Sequence, residues 1–378
     1  MAERRLRVGV LMGGRSGEHE VSLQSARSVL ANLNPDKYEV TQIGITHDGL
    51  WLVGENVLEA LLADDVTALQ EAVLLPEPTR QSLYGIVAQG GQQVLSELTG
   101  LDVIFPVLHG TFGEDGTLQG LLELADLAYV GAGVLGSALG MDKGVFKDVM
   151  RANGIPVLES VVALCSEIEQ DMPQVIQQAE KLAAYPLFVK PANLGSSVGI
   201  TKCWNRSDLT EGLLEAMRYD RRVLIERGIE AREIEVSVMG NDDPMVSVPG
   251  EILPSREFYS YESKYIDGTS GLLIPAPLPP EIIQRVQEYA LKAYRAIDCA
   301  GMARVDFLLD KNHQGRAGEG LYLGELNTIP GFTQISMYPK LWEASGLSYT
   351  ALLDKLVELA VSRKAQRDRL VRRYRRED

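Results

Sequence analysis

The chain has 378 residues, more than one ordinary hydrophobic core accommodates, so two or three domains are expected. Its 45% hydrophobic and 24% charged content and mean hydropathy of −0.04 fit a globular protein, and no run approaches the roughly 18 apolar residues of a membrane helix. A formal charge of −15 argues against nucleic acid as the main partner.

Three dispersed cysteines, Cys165, Cys203 and Cys299, form no Cys-x-x-Cys pair and suit a reducing, cytoplasmic setting. The N-terminus enters a strand with no apolar leader behind it, so an intracellular protein is expected.

In chain order, residues 6–12 read as a buried strand, and Gly13-Gly14-Arg15-Ser16-Gly17-Glu18 turns into a helix reaching about residue 33. A strand over 38–45, a variable acidic stretch around 55–65 and a strand over 103–108 follow. This alternation predicts an open, parallel α/β sheet, in which ligands bind beyond the carboxyl ends of strands. Gly13-Gly14 and His109-Gly110 both sit at such ends, so Glu18 and His109 are candidates to face one crevice. A hydrogen-bonded turn histidine is the equally open alternative for His109.

Gly131-Ala132-Gly133-Val134-Leu135-Gly136 satisfies G-x-G-x-x-G in letter. Its lead-in strand is short and no acidic residue follows at the required distance, so a dinucleotide site is not expected.

Met141-Asp142-Lys143 opens a helix to residue 151, and residues 175–184 are helix-like. A strand over 187–191 carries Lys190 and feeds the small-residue loop Asn193-Leu194-Gly195-Ser196-Ser197-Val198-Gly199 before another strand. Such a hairpin tip, with a lysine beside it, can fold over phosphates, although it is no Walker A loop; an ordinary flexible hairpin is the alternative. Helix 207–219, strand 222–226 and an alternating strand over 232–239 come next, and 248–253 repeats the alternation. Residues 254–273 have no clean period but contain three tyrosines and Lys264, which suits a lid.

After a helix over 281–297, residues 301–309 and 320–327 are two strand-like runs. Arg304 and Asp306 lie two apart on the first, Glu325 and Asn327 two apart on the second, so each pair shares a strand face. If the strands pair, Asp306, Glu325 and Asn327 converge as hard oxygen ligands suited to magnesium holding nucleotide phosphates; a polar outer face is the alternative. The chain closes on an amphipathic helix from residue 352, whose basic end at 363–376 reads as a solvated surface.

Taken together and in order, these motifs resemble the ATP-grasp ligases, most closely the D-alanine–D-alanine ligase family, over nearly the whole chain. The resemblance implies a Rossmann-like N-terminal domain (1–131), a central ATP-grasp subdomain (132–229) and a C-terminal ATP-grasp subdomain (230–378). It implies that Lys143 and Lys190 hold ATP phosphates under the loop containing Ser197, with Lys264 also on the nucleotide side. Glu226, Arg227 and Ile229 match the hinge that reads adenine through its backbone, Arg227 standing where some relatives have lysine. Glu233 matches the acid taking the ribose hydroxyls, and Asp306, Glu325 and Asn327 match the Mg²⁺ (or Mn²⁺) ligands. Glu18 matches the residue binding the first substrate's ammonium and, with Ser196 and Tyr265, the network that fastens the lid, with His109 nearby. Arg304 and the Gly331 amide match the oxyanion donors, and Ser336 the residue holding the second carboxylate.

The implied reaction is ATP-dependent joining of two D-alanines for peptidoglycan, in the cytoplasm, by a homodimer with neither a nucleic-acid partner nor membrane insertion. A D-lactate or D-serine ligase is the alternative; Lys264-Tyr265 favours an amine nucleophile, because D-lactate-using relatives replace that tyrosine.

Overall fold

Three sheets follow one another along the chain in the computed structural model, which describes residues 4–195, 198–253, 271–313 and 320–372. The expectations for Ser196, Ser197, Lys264, Tyr265 and the lid therefore lie outside the described residues, apart from Gly271–Leu273, an edge strand.

The first sheet has eight strands. Leu6–Gly13 lies between Tyr38–Ile45 and Val103–Pro106, parallel to both, and Ala128–Tyr129 extends the parallel half. The expected parallel sheet forms, as one half of a larger mixed sheet. Trp51–Val53, Gln70–Leu74, Ser82–Gln89 and Gln92–Gly100 add an antiparallel half. Its outermost hairpin turns at Gly90 and Gly91, both at positive φ as a two-residue turn requires.

The second sheet is antiparallel, in the order Thr201–Cys203, Leu187–Pro191, Arg222–Arg227, Ser160–Leu164. Its apolar face is covered by Cys165–Leu182 and Arg206–Ala216, through Ile168, Ile176, Leu209 and Leu213.

The third sheet is also antiparallel. Ala231–Gly240 lies between Gly250–Leu253 and Gly301–Asp310, and Leu321–Asn327 pairs on the far side of Gly301–Asp310. Helix Pro280–Ala296 packs Ile282, Val286, Ala290 and Ala293 on one face against it, the spacing of an amphipathic helix.

The sequence that mimics a dinucleotide fingerprint serves packing between the end of the first sheet and the third sheet. A Cβ on Gly301, at φ +72°, would fall 2.9 Å from the Gly131 nitrogen, so the two backbones meet where no side chain fits.

The basic end of helix Tyr349–Asp368 also departs from expectation. Arg363 donates to the Gly131 and Tyr129 carbonyls, and Lys364 and Arg367 reach Asp126 at 3.2 and 3.5 Å. Arg367 also pairs with Glu123. This surface is a clamp on the N-terminal sheet rather than a solvated face.

Candidate active site

Strands Gly301–Asp310 and Leu321–Asn327 do pair, with Arg304 opposite Asn327 and Asp306 opposite Glu325. Cross-strand partners share a face, so the four polar side chains gather at one end of the third sheet. Arg304 grips Asp306 with two bonds, Nε to Oδ1 at 2.8 Å and Nη2 to Oδ2 at 2.6 Å, and its Nε also meets Glu235 at 3.0 Å. Burial alone would lower the guanidinium's pKa, but Asp306 and Glu235 hold it well above its ordinary value.

Asn327 Nδ2 donates to Asp306 at 3.2 Å and Glu325 at 3.4 Å. No group of three His, Cys, Asp or Glu side chains among the described residues is placed to hold a metal ion. The fit to a cation therefore rests on two carboxylates plus a carboxamide, an all-oxygen set of the kind magnesium prefers. A turn of the Asn327 amide would exchange its nitrogen for its oxygen, without backbone movement.

A cleft between the second and third sheets brings Lys143, Lys190 and Glu226 to face Glu233, Glu235, Asp306 and Glu325. Lys143 begins helix Lys143–Ala152, which Asp142 caps by accepting from the amides of Gly144 and Val145. Its Nζ donates to the Leu194 carbonyl at 2.5 Å, which fixes the start of the glycine–serine loop. Lys190 donates to Glu226 at 2.6 Å.

The sequence reading valued Glu226 for its backbone, yet its side chain is buried between two ammonium groups, Lys190 and Lys147. Burial would raise the Glu226 carboxyl, but the two lysines hold it at about 2. Arg227 leaves the cleft to pair with Glu159 at 2.9 Å and lie over the Tyr322 ring, and half-buried Ile229 sits in the connection to the third sheet.

A second pocket adjoins the first, lined by Glu18, His109, Glu114, Gly195, Arg304 and Gly331 among others. Glu18 immediately precedes helix His19–Asn32 and is buried. Gly110, at φ +74°, lets the chain pass it, since a Cβ there would come within 2.5 Å of Glu18 Oε2.

His109 is fully engaged by the protein. Nδ1 donates to the Ile329 carbonyl at 3.0 Å, which leaves Nε2 to accept from Ser25 Oγ at 3.0 Å; that oxygen in turn accepts the Phe332 amide at 3.2 Å. Burial lowers the His109 pKa, so the ring is neutral near pH 7 and braces the pocket wall.

Glu114 works beside it, accepting from the amides of Gly110 at 2.7 Å and Ile329 at 3.2 Å. Burial, and then the neighbouring Glu18 carboxylate, raise Glu114 from 4.5 to about 8. Glu114 and His109 thus hold both ends of the Ile329 residue, two positions before Gly331. Ser336 lies against Gly331: its Oγ accepts the Thr333 amide at 3.0 Å, and a Cβ on Gly331 would come within 2.9 Å of it.

The two cavities share Lys143 and Glu325 in their walls. A ligand in one therefore meets a ligand in the other beside an ammonium and a carboxylate. Three participants were missed in the sequence reading: Glu114, Lys147 and Glu235. The signals were present, since Glu114 falls within His109-Gly110-Thr111-Phe112-Gly113-Glu114-Asp115-Gly116, Lys147 is four residues past Lys143, and Glu235 two past Glu233.

The chain is similar to known proteins over nearly its whole length. Residues 7–132 match the family model for the D-Ala–D-Ala ligase N-terminus, and residues 149–358 that for its C-terminus. The chain is 48% identical over 367 residues to a D-alanine–D-alanine ligase of Natranaerobius thermophilus, spanning 97% of this chain and 98% of the relative. It is 52% identical over 357 residues to one from a Thermoanaerobacter species, spanning 94% and 96%. Among solved structures, the D-alanine–D-alanine ligase of Coxiella burnetii superposes with a TM-score of 0.80 at 36% identity, over 96% of both chains. The VanG D-Ala:D-Ser ligase of Enterococcus faecalis gives 0.81 at 35% identity, over 94% of this chain and all of that one.

Proposed function

The chain belongs to the D-alanine–D-alanine ligase family, and we propose the division of labour among its residues that follows. The activity is ATP-dependent joining of two D-alanines for peptidoglycan synthesis, releasing ADP and phosphate. The observation that carries the residue-level reading is the pair of adjoining cavities sharing Lys143 and Glu325.

ATP occupies the cleft between the second and third sheets, with Lys143 and Lys190 on its phosphates, the hinge from Glu226 to Ile229 against adenine and Glu233 on the ribose. Asp306, Glu325 and Asn327 hold Mg²⁺ or Mn²⁺. Such an ion neutralises phosphate charge and orients the transferred group. The first D-alanine lies in the second pocket with its ammonium on Glu18.

A carboxylate and an amine at neutral pH form a salt, not an amide. Transfer of the γ-phosphoryl group to the first carboxylate replaces a poor leaving group by phosphate. The second amine then attacks that carbon, and its oxygen takes up negative charge. Arg304, whose Nη1 makes no hydrogen bond among the described residues, and the Gly331 amide are the donors for that charge. Ser336 holds the second carboxylate. Ser196 and Tyr265, with Glu18, fasten the lid that keeps out water, which would otherwise hydrolyse the acyl phosphate. Ser197 and Lys264 serve the nucleotide; of these five, all but Glu18 lie outside the described residues.

Three domains (1–131, 132–229, 230–378), a homodimer and a cytoplasmic location complete the reading. No helix among the described residues is long and apolar enough to cross a membrane.

D-alanine labelled with ¹⁸O in its carboxylate tests the intermediate. One labelled oxygen must appear in the released phosphate. Product formation with unlabelled phosphate would rule out phosphoryl transfer to the carboxylate.

A further inference from the structure

Lys147 is a lysine the proposed chemistry leaves unused, yet it is 2% exposed and sits four residues past Lys143 on the same helix. That spacing puts both ammonium groups on one helix face. Lys143 reaches the loop at Leu194, while Lys147 pairs with Glu226 Oε1. The other oxygen of that carboxylate, Oε2, holds Lys190 at 2.6 Å.

The three charges are unequally exposed: the side chains of Lys147 and Glu226 are 3% and 4% exposed, that of Lys190 21%. Lys190 is therefore the member best placed to meet a ligand in the cleft. A buried carboxylate bound to Lys190 alone would cancel its charge. With a second ammonium on its far side, the cluster keeps a net charge of +1, displayed at Lys190.

We propose that Lys147 is a positioning residue for nucleotide phosphates, neutralising Glu226 so that Lys190 presents an uncancelled, fixed positive charge to the cleft. This rests on the reading of Lys190 as a phosphate-binding lysine. The downward displacement of the Lys147 pKa by burial is part of the cost of this arrangement, and Glu226 opposes it. An ammonium buried this deeply is expensive unless its partner is as well placed as Glu226 is here.

The test measures dissociation constants for ATP, ADP and adenosine by calorimetry on the full chain with magnesium. It compares the parent with Lys147→Met, Lys147→Arg, the double variant Lys147→Met/Glu226→Gln, and Lys190→Met. Lys147→Met should weaken ATP and ADP on the order of tenfold, the effect of one charge across part of the cleft, with adenosine unchanged. Lys147→Arg should retain most of the phosphate affinity. The double variant removes both buried charges and should bind ATP better than the single one, even if the latter folds poorly.

Equal loss for adenosine and ATP in folded Lys147→Met would overturn the proposal by making the role structural. So would a double variant no better than Lys147→Met. If Lys190→Met leaves ATP affinity intact, the reading of Lys190 itself fails; if Lys190→Met weakens ATP while Lys147→Met does not, only the inference fails.

Discussion

Replacing Glu114 with Gln should change how stability depends on pH more than it changes stability at any one pH. In the folded chain this carboxyl is raised from 4.5 to about 8, by burial first and by Glu18 second. A folded-state pKa above the unfolded one means the folded form holds its proton more tightly. The contribution is present in full below pH 4.5 and is lost as pH rises through 8.

At 1.36 kcal/mol per pKa unit the whole effect is about 5 kcal/mol, of which about 3 kcal/mol falls between roughly pH 5.5 and 8.5. The glutamine cannot titrate, and it can still accept one of the two amide bonds, from Gly110 or Ile329. Urea denaturation at these pH values should show Glu114→Gln less stable than the parent at pH 5.5, with the gap closing or reversing by pH 8.5. A difference between the two proteins that stays constant across that range would refute the account of Glu114 as a carboxyl kept protonated by its surroundings.

Three further outcomes are expected. Asn327→Ala should raise the magnesium concentration needed for half-maximal rate more than it raises the KM for D-alanine; equal changes would remove Asn327 from the metal set. Arg304→Gln should lower kcat by about 10²- to 10³-fold while ATP affinity changes far less, as measured by steady-state rates beside calorimetry; a matching loss of ATP affinity would make Arg304 a nucleotide residue instead. Asp126→Asn keeps a residue tolerant of its φ of +53° but removes the carboxylate that Lys364, Arg367 and Arg372 share. Unfolding should become easier by about 1 kcal/mol, and an unchanged melting curve would deny the clamp any energetic weight.

The chemistry-bearing strands were legible because a strand has period two. Arg304-x-Asp306 and Glu325-x-Asn327 state which side chains share a face, and only the pairing needed to be seen. Glycine-rich loops at strand ends were legible for a different reason, since positions such as Gly110 leave no room for a side chain. Partnerships between distant charges were not. Lys147 and Glu235 look like surface positions in their helix and strand, and only tertiary structure, a helix reaching the second sheet for Lys147 and strand pairing within the third for Glu235, brings them beside Glu226 and Arg304. The antiparallel half of the first sheet was missed because Gln92–Gly100 buries no residue and shows little apolar alternation, although Gly90-Gly91 signals its turn. The basic end of the last helix was misread because its acidic partners, Glu123 and Asp126, lie far back in the chain, beside the first sheet.

The central claim is that this site joins D-alanine to D-alanine at the expense of ATP, and phosphate release tests it most directly. With ATP and Mg²⁺, phosphate should appear on addition of D-alanine, in step with D-alanyl-D-alanine, and not with L-alanine; D-lactate added beside D-alanine should not divert the product to the ester. Absence of D-alanine-dependent phosphate, or an ester as the main product, would contradict the account.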